Sequence, residues 1–444
     1  MPALGYNRAM AVPPPTRRER IAWALYDFAN SGYTTVVLTA VFNAYFVGVV
    51  APGAGFDGGT ATLLWTLAVG AANALVLLSA PLLGAVADHG AHKKRYLVVS
   101  SLGCILGTVA LGQVGPGDVW LGMALVILAT YLFSVGENLI AAFLPELAPQ
   151  TGMGRLSGYG WAVGYLGGLL VLALCLAYVR HAQDQGLTAA DYVPGTLYIT
   201  AAAFALGALP TFLWLRERAV PSPTPPGGLF RAGLERLRDT WGHARRHRDL
   251  FRLLLAIAVY HCGINTVIVL AAVFAQAVLG FTTEDSIVLI LVVNVTAAAG
   301  AFVFGHLQDR IGSVRTLVVT LIIWIAAVAA AIFVETRAQF WWVANAVGIA
   351  LGASQSAGRA LVGQFSPPAR AGEFFGLWGL AVKLSAIVGP VTYGLVNRAT
   401  GGDHRMALLS TLAFFVAGLV LLRGVDEARG ERVAREEAAR AAAG

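Results

Sequence analysis

Apolar residues in this chain do not alternate with polar ones at the period of a surface helix or a half-buried strand; they run on. Twelve such runs cover about 22–50, 61–87, 96–114, 119–143, 157–180, 194–215, 250–279, 286–308, 314–335, 339–364, 374–398 and 405–423. About 20 apolar residues suffice to cross a bilayer as a helix. Helices are required because hydrocarbon offers no partner for an open backbone group. A membrane barrel would show segments of about ten residues with alternating polarity, a pattern these runs lack. The chain therefore reads as an all-α integral membrane protein of twelve transmembrane helices.

Composition supports that reading. Of 444 residues, 57% are hydrophobic and 12% charged, where a soluble chain would carry roughly a quarter charged residues. Lys and Arg set the orientation. With the N-terminus in the cytoplasm, 26 of the 31 Lys and Arg fall on cytoplasmic segments and 4 (Arg180, Arg337, Arg398, Arg405) on the outer side, with Lys383 inside a span. This split predicts a multi-pass protein of the cell (inner) membrane with both termini cytoplasmic. The net charge of +7 then reflects topology and contact with anionic lipid, and gives no ground for nucleic acid binding. The first 20 residues are rich in Pro and Arg, and the run after them is too long for a signal-peptide core. Helix 1 is expected to act as its own insertion signal. Cys104, Cys175 and Cys262 fall inside spans at unrelated spacings. They read as small buried hydrophobes, with neither a metal site nor a disulfide framework.

Two polar interruptions resemble one another: "GAVADHGAHKKR" (84–95) and "GHLQDRIGSVR" (305–315). Gly84 and Asp88 match Gly305 and Asp309 at an offset of 221, and Pro145 matches Pro367 at 222. The chain thus divides into a cytoplasmic segment 1–20, a six-helix half 21–215, a linker 216–249, a second half 250–423 and a tail 424–444. Repeated halves are a transporter architecture. In the linker, Phe230, Leu234, Leu237 and Trp241 recur at steps of four and three with Arg between. That suits an amphipathic helix on the cytoplasmic face of the membrane; a solvated helix is the plainer alternative. The tail, charged and Ala-rich, is expected to be a frayed helix or disordered.

Twelve spans, two halves, and Gly305, Asp309, Arg310 and Gly312 in a G-x-x-x-D-R-x-G loop resemble the major facilitator superfamily. The first copy departs from the signature: His89 replaces the usual Arg and Gly90 comes one residue early. Glycine there lets the chain turn sharply beside a neighbouring helix. An Asp at the membrane edge can accept hydrogen bonds from the N-terminus of a helix in the other half, where the dipole is positive. The resemblance implies a latch that holds the halves together on the cytoplasmic side of the outward-open state. Its candidates are Gly84, Asp88, Lys93, Lys94 and Arg95 in one copy and Gly305, Asp309, Arg310, Gly312 and Arg315 in the other, with helices 11 and 5 as partners. The competing reading is that the basic residues only satisfy the positive-inside rule. Acidic residues do nothing for that rule, so it does not account for Asp88 and Asp309.

"WALYDFANSGY" (23–33), "GENLIAAFLPELAPQTGMGRLSGYGWAVGYLGG" (136–168) and "GASQSAGRALVGQFSPPARAGEFFGLWGLAVKLSAIVGP" (352–390) narrow the match. Together they resemble the branch that holds the autophagy-related vacuolar amino-acid effluxers of fungi and their bacterial relatives. For the fungal members this implies export of amino acids such as leucine; for the bacterial ones it implies no particular substrate. Helix 5 lacks the Gly-Pro motif of drug–proton antiporters, no Pro-Glu-Ser run follows helix 6 as in sugar porters, and helix 1 lacks the E-x-x-E-R of peptide porters.

Ionisable groups at membrane depth are costly and point to function. The set is short: Asp27 and Asn30 on helix 1, Glu137 and Asn138 on helix 4, His261 and Asn265 on helix 7, Gln355 and Arg359 on helix 10, and Lys383 on helix 11. The resemblance implies that helices 1, 4, 7 and 10 line a central cavity, where this set would converge. Lys383 and Arg359 would face a carboxylate, Glu137 or Asp27 an ammonium, which suits a zwitterionic amino acid. The two carboxylates are also candidates for proton coupling. Each residue has a plainer reading: Lys383 and Glu137 as helix-joining partners, Asp27 as a cap, His261 as a satisfied core histidine, Arg359 as a snorkelling side chain. Gly160, Gly164 and Gly168 fall at steps of four and present a bare helix face for close packing.

These observations predict a monomeric secondary transporter that moves a small polar solute by alternating access, with membrane lipid as its surroundings. No cofactor is implied: there is no G-x-x-x-x-G-K phosphate loop and no His/Cys/acid cluster with metal-ligand spacing. Export of drugs or other amphiphiles, or lipid translocation on the same fold, is the alternative. A membrane-embedded enzyme would need a nucleophile–base pair or metal motif that the sequence lacks.

Overall fold

The computed structural model describes residues 14–219, 228–242 and 247–443. Among them are twelve long helices: α1 (Arg17–Gly53), α2 (Gly58–Gly90), α3 (Lys93–Leu111), α4 (Val119–Ala141), α5 (Met153–Asp184), α6 (Ala189–Trp214), α7 (Arg248–Leu279), α8 (Thr283–Ile311), α9 (Ser313–Phe333), α10 (Arg337–Gln364), α11 (Ala371–Ala399) and α12 (His404–Leu422). A linker helix (Gly228–Gly242) and a tail helix (Glu427–Ala443) lie on the side that carries the termini. The all-helical membrane fold is as the sequence implies. Eleven of the twelve are long and apolar enough to cross a membrane. The exception, α10, has the length but carries Ser354, Gln355, Ser356 and Arg359 in a half that is almost wholly buried among other helices.

Two apolar cores form. One gathers Trp23, Tyr33, Phe46, Phe143 and Phe204 from α1 to α6; the other gathers Tyr260, Trp324, Phe374 and Phe415 from α7 to α12. The cores meet along two crossings, α2 with α11 and α5 with α8.

The polar interruptions are shorter than the sequence suggests. α2 continues through Asp88 and α8 through Asp309, so the chain turns only at Ala91 (φ 51°) and Gly312 (φ 96°). Gly84 and Gly305 therefore make no turn; they lie inside helices, at the crossings. A Cβ on Gly84 would stand 2.0 Å from the Gly372 carbonyl oxygen, and one on Gly305 2.8 Å from that of Gly154. The missing side chain is used for close approach of two helix backbones.

Several helix starts differ between the two sides. Away from the termini, Asp57, Thr282, Thr336 and Asp403 cap α2, α8, α10 and α12 with their own side chains. On the termini side α3, α5, α9 and α11 begin without such a cap. Their first N–H groups need partners from elsewhere.

The tail is not frayed. Arg429 binds Asp249 of α7 at 2.5 Å, Glu437 lies 3.2 Å from His247, and the Phe365 ring packs on Gly430. The linker segment does form a helix. Its buried Ala232 and Gly233 pack on α2 near Leu82 and Val86, while Leu234 is exposed. The side chains of Phe230, Leu237 and Trp241 lie outside the described residues.

A Gly84→Ala substitution should wedge the α2–α11 crossing apart. Overpacking costs about 1–3 kcal/mol, enough to shift a two-state equilibrium roughly 5- to 150-fold. Thiol labelling from the termini side at a Ser356→Cys reporter, buried in the native chain, should rise accordingly in the Gly84→Ala background. Unchanged labelling would show that the crossing tolerates the methyl.

Candidate functional site

Four carboxylates supply the missing helix caps. Glu217 accepts the N–H groups of Lys93 (2.8 Å) and Lys94 (3.1 Å) at the start of α3. Glu427 accepts those of Ser313 (2.8 Å) and Val314 (3.0 Å) at the start of α9. Asp88 accepts Gly372 (2.9 Å) and Glu373 (2.8 Å) at α11. Asp309 accepts Gly154 (3.0 Å) and Arg155 (3.3 Å) at α5. Each carboxylate meets the positive end of a helix dipole. Glu217 and Glu427 act within their own half, whereas Asp88 and Asp309 reach into the other half. Burial holds the Glu217 carboxyl above the usual carboxylate range despite its two N–H donors.

The two crossing contacts are unequal. Lys93, wholly buried, makes a short ion pair with Glu146 and lies 3.8 Å from Asp88. Glu146 also accepts the N–H of Arg218 at 2.8 Å. Asp309 instead pairs with Arg155 at 2.8 Å, and the Arg155 side chain is 54% exposed. Arg95, Arg310 and Arg315 point into solvent or headgroups and Lys94 is half-buried. Among the described residues, none of these four side chains bridges the halves, so they drop out of the candidate latch; the helices extend further than the motif suggests and carry them to the rim. Arg155 bridges the halves through Asp309, while Glu146 and Arg218 brace Lys93 within the first half; none of the three was read from the sequence.

Above this seam lies a cavity of about 490 Å³ between the halves. Its floor is Arg359, which donates to Asp27 at 2.7 Å and to the Ser157 hydroxyl (3.1 Å) and carbonyl (3.0 Å). The guanidinium stands over the Trp23 and Trp161 rings at 4.7 and 5.2 Å. It does not snorkel. Higher up, Lys383 lies 3.7 Å from Glu137. Both pairs join a carboxylate of one half to a cation of the other. Asn30, Gln355 and Asn265 also line the cavity; Tyr165 donates to Gln355, and Asn265 donates to Ser385 at 3.0 Å.

Two candidates lie elsewhere. Asn138 follows Glu137 and so points about 100° away around α4, onto the bare Cα of Gly379. His261 is one turn from Asn265 toward the termini side, hydrogen-bonded to the Ile257 carbonyl at 3.1 Å and packed on Tyr260. Neither lines the cavity. Residues the sequence reading missed include Trp161, Tyr165 and Trp378, and the hydroxyls of Ser31, Thr34 and Thr35. Trp161 and Tyr165 recur at a helical step beside the glycines, a pattern that could have flagged them. From Thr34 to Ala40, α1 widens to a π-helix, a deviation often found at functional sites.

The glycines of α5 make room for this site. A Cβ on Gly160 would stand 2.3 Å from Asp27 Oδ2 and 2.6 Å from Arg359 Nη2. One on Gly164 would meet Ser31 at 3.1 Å, and one on Gly168 would meet Thr35 at 2.8 Å.

Solved structures share this architecture. The chain is similar to the proton:xylose symporter XylE bound to 6-bromo-6-deoxy-D-glucose (TM-score 0.73, 15% identity, 95% of this chain and 98% of that one). It is also similar to the human organic anion transporter MFSD10 (TM-score 0.71, 15% identity, 92% and 100%). The fold is that of the major facilitator superfamily of transporters. Residues 59–435 match the family described as vacuole effluxer Atg22 like, and the chain belongs to that family. Among its relatives is the uncharacterized MFS-type transporter YxiO of Bacillus subtilis, 28% identical over 426 residues (95% of this chain, 98% of that one). Autophagy-related protein 22 of Kluyveromyces lactis is 23% identical over 378 residues (78% and 75%). The protein is therefore a transporter and no enzyme.

Loss of a cap costs about 0.5–2 kcal/mol, and of the four capping carboxylates only Asp88 and Asp309 join the two halves. Asp88→Ala should raise termini-side labelling of the Ser356→Cys reporter, and Glu217→Ala should lower thermal stability without raising it. Equal labelling in both would mean that the seam does not depend on Asp88. For the floor, Arg359→Met should cost about 3–5 kcal/mol by leaving Asp27 buried without its cation. Adding Asp27→Asn should recover most of that loss in a thermal unfolding assay; purely additive losses would show that the two side chains are not coupled.

Proposed function

We propose that the protein is a secondary transporter that moves a small zwitterionic solute, of the amino-acid class, by alternating access of its two halves, with protons as the coupling ion. The observation that carries this reading is the pair of ion pairs within the cavity, Asp27–Arg359 and Glu137–Lys383, each split between the halves. A substrate carboxylate can replace a protein carboxylate at a cation, and its ammonium can take the freed carboxylate. The exchange loosens the bonds between halves while keeping every buried charge paired. When the solute leaves before the ion pair re-forms, the freed carboxylate at membrane depth favours its protonated form, which ties substrate movement to protons. The family's description as an effluxer supports export, and the bias of Lys and Arg supports cytoplasmic termini. Each chain holds a complete cavity, in keeping with a monomer.

In this reading the halves 21–215 and 250–423 rock as bodies. The seam on the termini side is closed by Asp88, Asp309 and Arg359, so the structure is the outward-open state. It turns inward when the two crossings part. A second reading, export of an amphiphile, is favoured by the apolar wall of Phe274, Trp324, Phe340 and Val343 in the second half.

Counterflow in proteoliposomes tests the proposal. A panel of labelled amino acids should show saturable counterflow of one class, lost in Lys383→Ala at unchanged thermal stability. An imposed pH gradient should alter the rate, and Glu137→Gln together with Asp27→Asn should remove that dependence. Full activity in Lys383→Ala would sink the zwitterion site. No counterflow across the panel, with transport of an amphiphilic dye, would favour the second reading.

A further inference from the structure

The first copy of the loop motif carries basic residues that neither the seam nor the cavity uses. Lys94 and Arg95 line a shallow, open depression at the termini-side rim of α3, together with His92, Val98, Val99 and Glu217. Arg216, just past the end of α6, lies close enough to Lys94 for the two charges to repel. Three cations thus share this corner with one carboxylate, and that carboxylate is already committed to the α3 N-terminus through the N–H groups of Lys93 and Lys94.

Below the basic rim the surface is apolar. α3 and α6 pack side by side. Val99, Leu102 and Leu106 on α3 and Leu213 and Trp214 on α6 are exposed large hydrophobics on these two helices. Trp at the end of a span marks the depth of the headgroups.

The second half provides an internal comparison. Ser313, Val314 and Arg315 stand where Lys93, Lys94 and Arg95 stand, at an offset of 220. The α9 N-terminus is capped by Glu427 just as α3 is by Glu217. Capping therefore does not require a cation at position 94, nor does the topology of the loop. The extra positive charge belongs to the first half alone.

We propose that this corner binds the headgroup of an anionic phospholipid in the termini-side leaflet. The phosphodiester sits among Lys94, Arg95 and Arg216, and the acyl chains lie along the exposed faces of α3 and α6. The site is separate from whatever the central cavity carries. A phosphate between the cations removes their mutual repulsion, and its tails keep it at the depth where they lie. The neighbouring Asp88–Lys93–Glu146 network begins one residue from Lys94, so a bound lipid also steadies the α3 N-terminus against which that network is built.

Native mass spectrometry of the full chain, released from micelles with equimolar phosphatidylglycerol and phosphatidylcholine, tests the proposal. Wild-type protein should retain phosphatidylglycerol preferentially. The preference should fall by about fivefold per cation removed in Arg95→Gln and further in the Lys94→Gln/Arg95→Gln pair, and stay unchanged in Arg315→Gln. Arg95 is exposed, so the single variant serves if the pair does not fold. Thermal unfolding with inorganic phosphate forms the second arm, and no stabilisation matching that of phosphatidylglycerol is expected. An undiminished preference in Arg95→Gln, an equal loss in Arg315→Gln, or a matching shift with inorganic phosphate would each overturn the lipid assignment.

Discussion

The structure depends on one constraint: the first N–H groups of a helix must find acceptors. Among the helices that start on the termini side, α3, α5, α9 and α11 bring none of their own and take a carboxylate from elsewhere. Two borrow a carboxylate from the segment that follows the last helix of the same half, Glu217 for α3 and Glu427 for α9. The other two borrow it from the opposite half, Asp88 for α11 and Asp309 for α5. The same chemical need is met for two helices within a half and for two between the halves. That division separates what each half does for itself from what it does for its partner.

Close approach makes the caps between halves possible. A carboxylate on one helix reaches the N-terminus of another only where the backbones nearly touch. Gly84 with Gly372, and Gly305 with Gly154 and Gly158, provide that contact. The glycines and the aspartates are thus parts of a single device. The cavity stands directly on it: Arg359 closes the floor, and Gly160 leaves the volume that the Asp27–Arg359 pair occupies. Cavity-lining groups and the groups that join the halves lie within a few turns of one another on α1, α5 and α10.

Much of this was legible in the chain. The long apolar runs gave the helices, because backbone polarity leaves hydrocarbon no other choice. The 221-residue offset between Asp88 and Asp309 gave the pairing of the loops, since acidic residues at a membrane edge need a reason. Seven of the nine polar candidates line the cavity, as rare charge at membrane depth would suggest. Asn138 and His261 were misplaced for want of the rotation and depth of α4 and α7, which one-dimensional spacing does not supply. The partners also stayed hidden. Nothing in the sequence ties Glu146 to Lys93 or Glu217 to α3, because contacts across 53 and 124 residues leave no local pattern. The tail looked frayed by composition, yet Asp249 and Phe365 give it a surface to dock on.

The two crossings also differ in how they meet solvent. Asp88 is sealed with Lys93 and Glu146, away from ions, whereas Arg155 beside Asp309 is largely exposed. Dissolved salt screens exposed charge pairs within a Debye length of about 8–10 Å and hardly touches buried ones. Ionic strength therefore acts on one seam and spares the other. The two copies of the motif, alike in Gly84/Gly305 and Asp88/Asp309, are thus unequal: the α5–α8 edge is the one that the surrounding electrolyte reaches, and the α2–α11 edge is the one shielded from it.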